Sequence, residues 1–474
     1  MTSKKAFLFQ KEYSLRLYVL FPAISMLLGW GLRGFIGGGP FGAMIPGAMV
    51  MLAICMLLDI PYAKSAVMVV FGTVGIGIGG EMTYGQTLGF LRNPDTIWWG
   101  TCGTTLKGGI WGLVGGVFIG LGLIYRRIQS KIIILGLLLF LIGLIIGMKL
   151  INDPKLLYFS DPFNKPRDES WAGLLFGAIF LLGWLKIKLP KDEFRLIYRF
   201  ACWGLIGGAL GFGLGAFWLV VGNQHGTGFF VTDWWKLMEF SFGFILGGFL
   251  GYASWLSRNE ITKDDRPATS AVTGVPVFKE LGIALMIGFF IYLIVPLFEP
   301  FVEAAGSADS FLVSALRTFM RVVINYSFLG SLLILAALRW PFVAFQIAVT
   351  LTFSHTVFDL ADDFSAKHEH LYPPVVTAAI VLLTSLVIGF LVAAFQRRAN
   401  NLKSMFLLLV WSTVGVAVIR MLLNSEFDFA PEHSLLQVIL GDMLVFNVFI
   451  ISAIIISWMT INLIDAHSAS GKIK

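Results

Sequence analysis

The chain has 474 residues, 57% of them hydrophobic and 13% charged, where soluble domains carry about 25% charged residues. That composition excludes a soluble globular enzyme. The formal charge of +7 therefore reads as loop charge at a membrane, with membrane lipid and no nucleic acid among the expected partners.

The polar start MTSKKAFLFQKEYSLR runs into an apolar segment with no small-residue cleavage site, so the first helix is expected to be retained. Apolar runs of about 20 residues, enough to cross a bilayer, then recur to the end of the chain. They predict an all-α, polytopic helical membrane protein with about 14 spans. The expected spans are 15–35, 41–59, 65–90, 99–125, 131–149, 171–187, 198–222, 235–256, 279–298, 310–337, 341–360, 374–395, 404–423 and 437–463. As domains, they divide into a tail (1–14), an eight-helix bundle (15–257), a linker (258–278), a six-helix bundle (279–463) and a second tail (464–474). Lys and Arg collect in the breaks at 126–127, 186–199, 258–279 and 397–403. The positive-inside rule then places both termini in the cytoplasm, expected at a cell (inner) membrane.

Gly72, Gly75 and Gly79 recur as Gly204, Gly207 and Gly211, and the LVGG of 113–116 recurs as ILGG at 245–248. A common shift of 132 suggests a parallel repeat of a four-helix unit, 15–130 and 131–257. Gly108, Gly112, Gly116 and Gly120, together with Gly243, Gly247 and Gly251, fall at every fourth residue, a spacing that lets helix backbones approach closely in lipid. The GFIGGGPFGAMIPG of 34–47 is expected to break the helix between the first two spans.

Charges inside spans mark function by default, because a lone charge in hydrocarbon is costly. At 1.5 Å per residue, Arg33, Glu81 and Lys107 fall at similar depth in the outer third of the bilayer, with Tyr84 on the face of Glu81. Glu239, Arg317, Arg321, Arg420 and Asp442 join the same layer. Glu81 is expected to pair with Lys107 or Arg33. The excess of cations over carboxylates suggests an anion site, since guanidinium forks grip carboxylate, sulfate or phosphate. The alternatives are snorkelling of Arg33 and Arg420 and a surface helix carrying Arg317 and Arg321. On the eleventh span Gln346, Thr350 and Ser354 form a polar stripe leading to His355, Asp359, Asp363 and, beyond them, His368 and His370. A His/Asp group of this type could bind a divalent metal or relay protons, but the spacing matches no specific metal motif, so a solvated helix end is the expected reading and no metal or cofactor is assigned. Tryptophan pairs at 98–99 and 234–235 fit an interfacial belt.

Scattered Cys55, Cys102 and Cys202 have no redox or metal spacing, and no nucleotide-binding, zincin or nucleophile-elbow motif occurs. The residues thus suggest a secondary transporter for an anionic small solute, such as an acidic sugar, coupled to H⁺ or Na⁺. The alternative is a membrane-embedded transferase acting at the outer face on a lipid-linked phosphate substrate. The oligomeric state is not legible in these residues.

Overall fold

The computed structural model describes residues 13–160, 167–225, 233–261, 274–304, 311–368, 371–398, 402–427, 429 and 433–464. Every regular element among them is helical. Helix α1 (Leu15–Ile36) starts at Ser14, whose hydroxyl caps the Leu17 amide, and ends at Gly37. Helix α2 (Gly39–Leu57) starts two residues later with Pro40 in its first turn, where the missing N–H of proline costs nothing. The expected break is therefore confined to Gly37 and Gly38. Helix α3 (Tyr62–Gly79) stops at Gly80, and residues 81–84 run as a turn into the short α4 (Gly85–Gly89).

Helices α5 (Ile97–Leu123), α6 (Ser130–Gly147), α7 (Trp171–Lys188), α8 (Lys191–His225) and α9 (Trp234–Ile261) complete the N-terminal bundle. Six of its helices close a ring: α1 packs on α2, α2 on α3, α3 on α5, α5 on α8, α8 on α9, and α9 returns to α1. The centre is filled rather than hollow. Trp30 meets Trp111 at 4.8 Å and Phe242 at 4.3 Å between ring centroids. The α6–α7 pair packs outside this ring.

The glycine stripes fulfil the packing role expected of them. On α5, a Cβ at Gly112 would run into the Gly204 carbonyl of α8, and a Cβ at Gly204 into the Gly112 carbonyl. Gly108 and Gly208 make the same reciprocal contact. Gly243, Gly247 and Gly251 of α9 lie against Met26, Pro22 and Tyr18 of α1. Gly75 and Gly79 of α3 receive Phe118 and Trp111 of α5, while Gly207 and Gly211 of α8 receive Phe249 and Phe242 of α9. The two hairpins therefore pack alike. That correspondence stops at Gly72, which meets Met51 of α2, whereas Gly204 meets α5.

The C-terminal helices are α10 (Val277–Ala304), α11 (Phe311–Ile324), α12 (Tyr326–Arg339), α13 (Thr352–Lys367, continuing a π-helical turn at Gln346–Leu351), α14 (Pro374–Gln396), α15 (Leu402–Leu423), α16 (Leu435–Gln437) and α17 (Leu444–Trp458). Helix α12 packs on α3, α13 and α15 on α2, and α15 and α17 on α1. Enclosed from both sides, α2 is buried along almost its whole length.

The molecule is a multi-pass helical membrane protein. Eleven described helices are long and apolar enough to span, or twelve if α11 and α12, bent by 52° at Asn325, form one broken span. The expected fourteen exceeds these eleven or twelve, which are counted over the described residues alone. The expected span 65–90 ends as a helix at Gly79, and 310–337 is broken. The expected span 279–298 lies in α10, whose side chains are described only in part. At one end of the bundle the basic breaks meet. Arg127 donates to the last carbonyls of α9 at Glu260 and Ile261 (2.7 and 2.8 Å), and Arg199 reaches the Glu260 carboxylate at 3.3 Å.

Candidate anion-binding site

At the opposite end of α6 from Arg127, α6 runs on through a π-helical turn, Met148–Asn152, into the segment that leads to α7. A polar cavity of about 260 Å³ opens there, lined by Lys149, Asn152, Asp153, Lys155, Tyr158, Arg167, Asp168, Glu169, Arg317 and Arg321. Arg317 and Arg321, four apart on α11, share the face that borders it. Lys149 pairs with Asp153 at 2.8 Å and Arg321 approaches Asp168 at 3.9 Å. Among the described residues Lys155, Arg167 and Arg317 have no carboxylate partner, so the lining is net positive.

Two donors in this wall are unspent. Asn152 is 4% exposed, and its Oδ1 accepts the Gly173 amide at 3.0 Å. That bond fixes the orientation of the side-chain amide and leaves its NH₂ as a donor, without a partner. Arg317 Nε is likewise buried and unpartnered. Unmade hydrogen bonds of buried groups cost about 1–3 kcal/mol each. Unspent donors beside an excess of cations are the complement of an anion.

Glu169, which closes the floor, does not contribute free charge. Its carboxylate takes Lys107 Nζ at 2.6 Å, the Ser160 hydroxyl at 3.0 Å and the Phe159 amide at 3.1 Å. Lys107 also donates to Thr83 O (2.6 Å) and Thr87 Oγ1 (2.8 Å). Both side chains are 1% exposed, and the pair is fully hydrogen-bonded. Lys107 thus ties α5 to the cavity floor and to the 81–84 turn. The same turn takes two more bonds from below the cavity. Thr83 Oγ1 donates to Asp168 O at 3.3 Å, and Ser170 donates to Glu81 O at 3.1 Å.

Glu81 does not pair with Lys107 or Arg33, contrary to expectation. Its carboxylate accepts the Ser327 amide and, at 3.1 Å, the Ser327 hydroxyl. It sits at the amino terminus of α12, where free N–H groups and the helix dipole favour a negative charge. The physical reason is the bend at Asn325, which opens a helix terminus inside the bundle.

Arg33, Tyr84 and Glu239 do come together. Arg33 donates to the Tyr84 hydroxyl and to Gly39 O at 3.4 Å, and its guanidinium lies 5.1 Å from the Tyr84 ring centre and 5.2 Å from that of Trp111. Tyr84 donates to Glu239 at 3.4 Å. Glu239 itself is paired with Lys236 at 2.6 Å and accepts Trp235 Nε1 at 3.3 Å. Gly34 makes room for it, since any Cβ there would strike the carboxylate. Arg33 is 4% exposed, its Nε is unpartnered, and among the described residues it has no ion pair.

The positive excess expected of one buried layer is therefore not found in the interior. Arg33, Lys107 and Lys236 are matched in number by Glu81, Glu169 and Glu239, and the cation excess lies in the open cavity. Arg420 and Asp442 belong to neither. Arg420 grips Asp359 (2.9 Å) and Asp363 of α13, which neutralises the acidic end of the eleventh span. Asp442 pairs with His433 at 2.7 Å near the surface. No group of three or more His, Cys, Asp or Glu among the described residues is placed to hold a metal ion. His355 faces Phe41 instead of Asp359 (centroids 5.3 Å apart), and His370 lies outside the described residues.

Sequence reasoning missed Glu169, Lys236 and Asn152. Glu169 stands directly before an apolar run and Lys236 follows Trp234 and Trp235, so both read as loop or belt residues. No protein-family model, curated protein or solved structure matches the chain.

Proposed function

We propose that the protein is a secondary transporter for a small anionic solute, coupled to H⁺ or Na⁺. One observation carries this reading: the cavity presents the unspent donors of Asn152 and Arg317 beside unpaired cations, and its floor is hydrogen-bonded to the 81–84 turn. That turn holds Glu81 on one side and Tyr84, bonded to Arg33 and Glu239, on the other. An anion that pulls on the floor thereby moves the segment bearing the coupling carboxylate. Glu81 is the coupling residue, because Glu239 is locked to Lys236 and Asp442 lies apart. Broken helices whose termini meet near charged groups are a means by which transporters build and move such sites. In this reading the cavity faces outward, the basic end of the bundle faces the cytoplasm, and the α3–α5 and α8–α9 hairpins are the parts of a duplicated unit that still pack alike.

The cavity lies at the helix ends and is bordered by Arg317 and Arg321 of α11, and this placement supports the second reading, a transferase that takes a lipid-linked phosphate group there. Purified protein in proteoliposomes separates the two. Saturable uptake of a radiolabelled anion from a panel of sulfate, phosphate and glucuronate supports transport. Binding of a lipid pyrophosphate, with no anion uptake, supports the transferase.

A further inference from the structure

A second set of unspent polar groups lies away from the anion cavity, at the break between α1 and α2. Both ring nitrogens of His355, on α13, are buried without a well-formed hydrogen bond, although the Gly38 backbone interacts with the ring. So are the hydroxyls of Tyr292, on α10, and Tyr326, the first residue of α12 and 2% exposed. The three are not scattered. Phe41, in the first turn of α2, packs on all of them, with centroids 5.3 Å from His355, 5.8 Å from Tyr292 and 5.0 Å from Tyr326. Tyr292 and His355 are themselves stacked at 6.5 Å. The imidazole edge lies beside the backbone break, since a Cβ at Gly37 would stand 3.3 Å from His355 Cδ2 and 3.6 Å from Nε2.

A neutral imidazole offers one donor and one acceptor, and each phenol offers both. Four buried polar atoms without a well-formed protein hydrogen bond, drawn from three helices around one ring, are a costly arrangement in a dry interior. Water satisfies such groups where several polar atoms converge. Charged groups around His355 are already engaged. Along its own helix Asp359 is held by Arg420 of α15. At the α1–α2 break Arg33 donates to Gly39 O. On the α12 side Glu81 takes the Ser327 amide. On the α10 side the titratable neighbour is Tyr292. Among the described residues no carboxylate there pairs with an imidazolium in the present state, yet Glu81 binds Ser327, one residue from Tyr326 at the same helix terminus.

We propose that this chamber is a proton-binding site: His355 takes a proton from water held by Tyr292 and Tyr326, at the break between α1 and α2. The proton arrives from bulk solvent as hydronium relayed through that water, adds to the free ring nitrogen and leaves neutral water behind; on release it passes back to water as hydronium and out to bulk solvent. The charge so gained lies across Tyr326 from Glu81 and beside the backbone break, so protonation biases the break and the α12 terminus together. The site stands on its own geometry; only its role in driving the anion rests on the transport reading.

The test uses full-length protein in lipid nanodiscs with ¹⁵N-labelled histidine. The His355 resonance is assigned by its loss in His355→Gln. We expect it to move reversibly between neutral and imidazolium positions within about pH 4–9, the range in which perturbed histidines titrate, and to shift in Tyr326→Phe and Tyr292→Phe. A His355 signal that stays neutral across that range, or that ignores both phenol variants, overturns the proposal. In proteoliposomes, His355→Gln is expected to keep sulfate, phosphate or glucuronate binding while losing acceleration of uptake by a proton gradient. If wild-type protein neither binds nor moves these anions, the transport reading fails, and the resonance still decides the proton site.

Discussion

The carboxylate of Glu81 lies on the amino terminus of α12, accepting both the amide and the hydroxyl of Ser327. The same amide is shared with Asn325 Oδ1 at 3.0 Å, so a capping residue and a side chain from a distant helix meet at one donor. This contact fastens the end of α3 to the bend between α11 and α12. Glu81→Gln keeps an acceptor for the amide but removes the charge. We expect a folded protein whose anion uptake no longer responds to a gradient of H⁺ or Na⁺. Uptake in proteoliposomes with and without the imposed gradient checks this, and an unchanged gradient response would remove Glu81 from coupling.

Lys107 and Glu169 form a buried ion pair that ties α5 to the cavity floor and to the 81–84 turn. Each single replacement, Lys107→Met or Glu169→Gln, strands a buried group, and breaking such a pair costs about 3–5 kcal/mol. The double variant Lys107→Met/Glu169→Leu is expected to recover most of that loss, because two apolar side chains leave no charge behind. Thermal unfolding of the three variants in detergent measures it. Equal damage in the double variant would show that the pair does more than hold the floor in place.

The α5–α8 contact predicts a sharp contrast between two glycines. Gly112→Ala drives a methyl into the Gly204 carbonyl and should cost about 1–3 kcal/mol, the usual range for overpacking. Gly183→Ala on α7 meets nothing within 4 Å and should be neutral or stabilising by about 0.5–1 kcal/mol, the helix preference for alanine. Melting temperatures in one detergent read both.

How far the sequence carries the fold is clearest from these same residues. Apolar run lengths located most of the helices, and the four-residue glycine spacing located the faces that α5, α8, α9 and α1 turn to one another. Hydropathy registers neither bend nor partner. It joined α11 to α12, although Asn325 caps a new helix, and it carried 65–90 past the glycines that end α3. Depth along a helix placed Arg33, Glu81 and Lys107 in one layer, but depth says nothing about which neighbour a side chain faces. The true partners, Glu169, Ser327 and Lys236, sat in segments that read as loop, the middle of an unbroken span and aromatic belt. Arg420 and the acidic end of the eleventh span were legible as charges, though not as one group. Arg317 and Arg321 were legible as one cationic helix face, and Asn152 was not legible, because an unspent amide becomes visible only once Gly173 is seen to occupy its oxygen.

Arg420 bridges Asp359 and Asp363, and its guanidinium lies 5.6 Å from the Phe35 ring centre. Arg420→Lys keeps the charge but reaches only one carboxylate well. We expect a fall in stability of about 1–3 kcal/mol, as for a lost charged hydrogen bond, with anion binding unchanged. Altered anion affinity at wild-type stability would move the site toward α13.

The central claim is that the cavity beneath α11 binds the anion through its donors, and equilibrium binding of radiolabelled sulfate, phosphate and glucuronate to the purified full-length protein tests it most directly. Arg321→Lys loses the planar fork and should weaken binding of the preferred anion about tenfold or more, while Asn152→Asp, which places a carboxylate among the donors, should abolish it; both proteins should remain folded. Binding that survives both substitutions at wild-type affinity would contradict the account and leave the cationic lining of the cavity as a lipid-headgroup anchor.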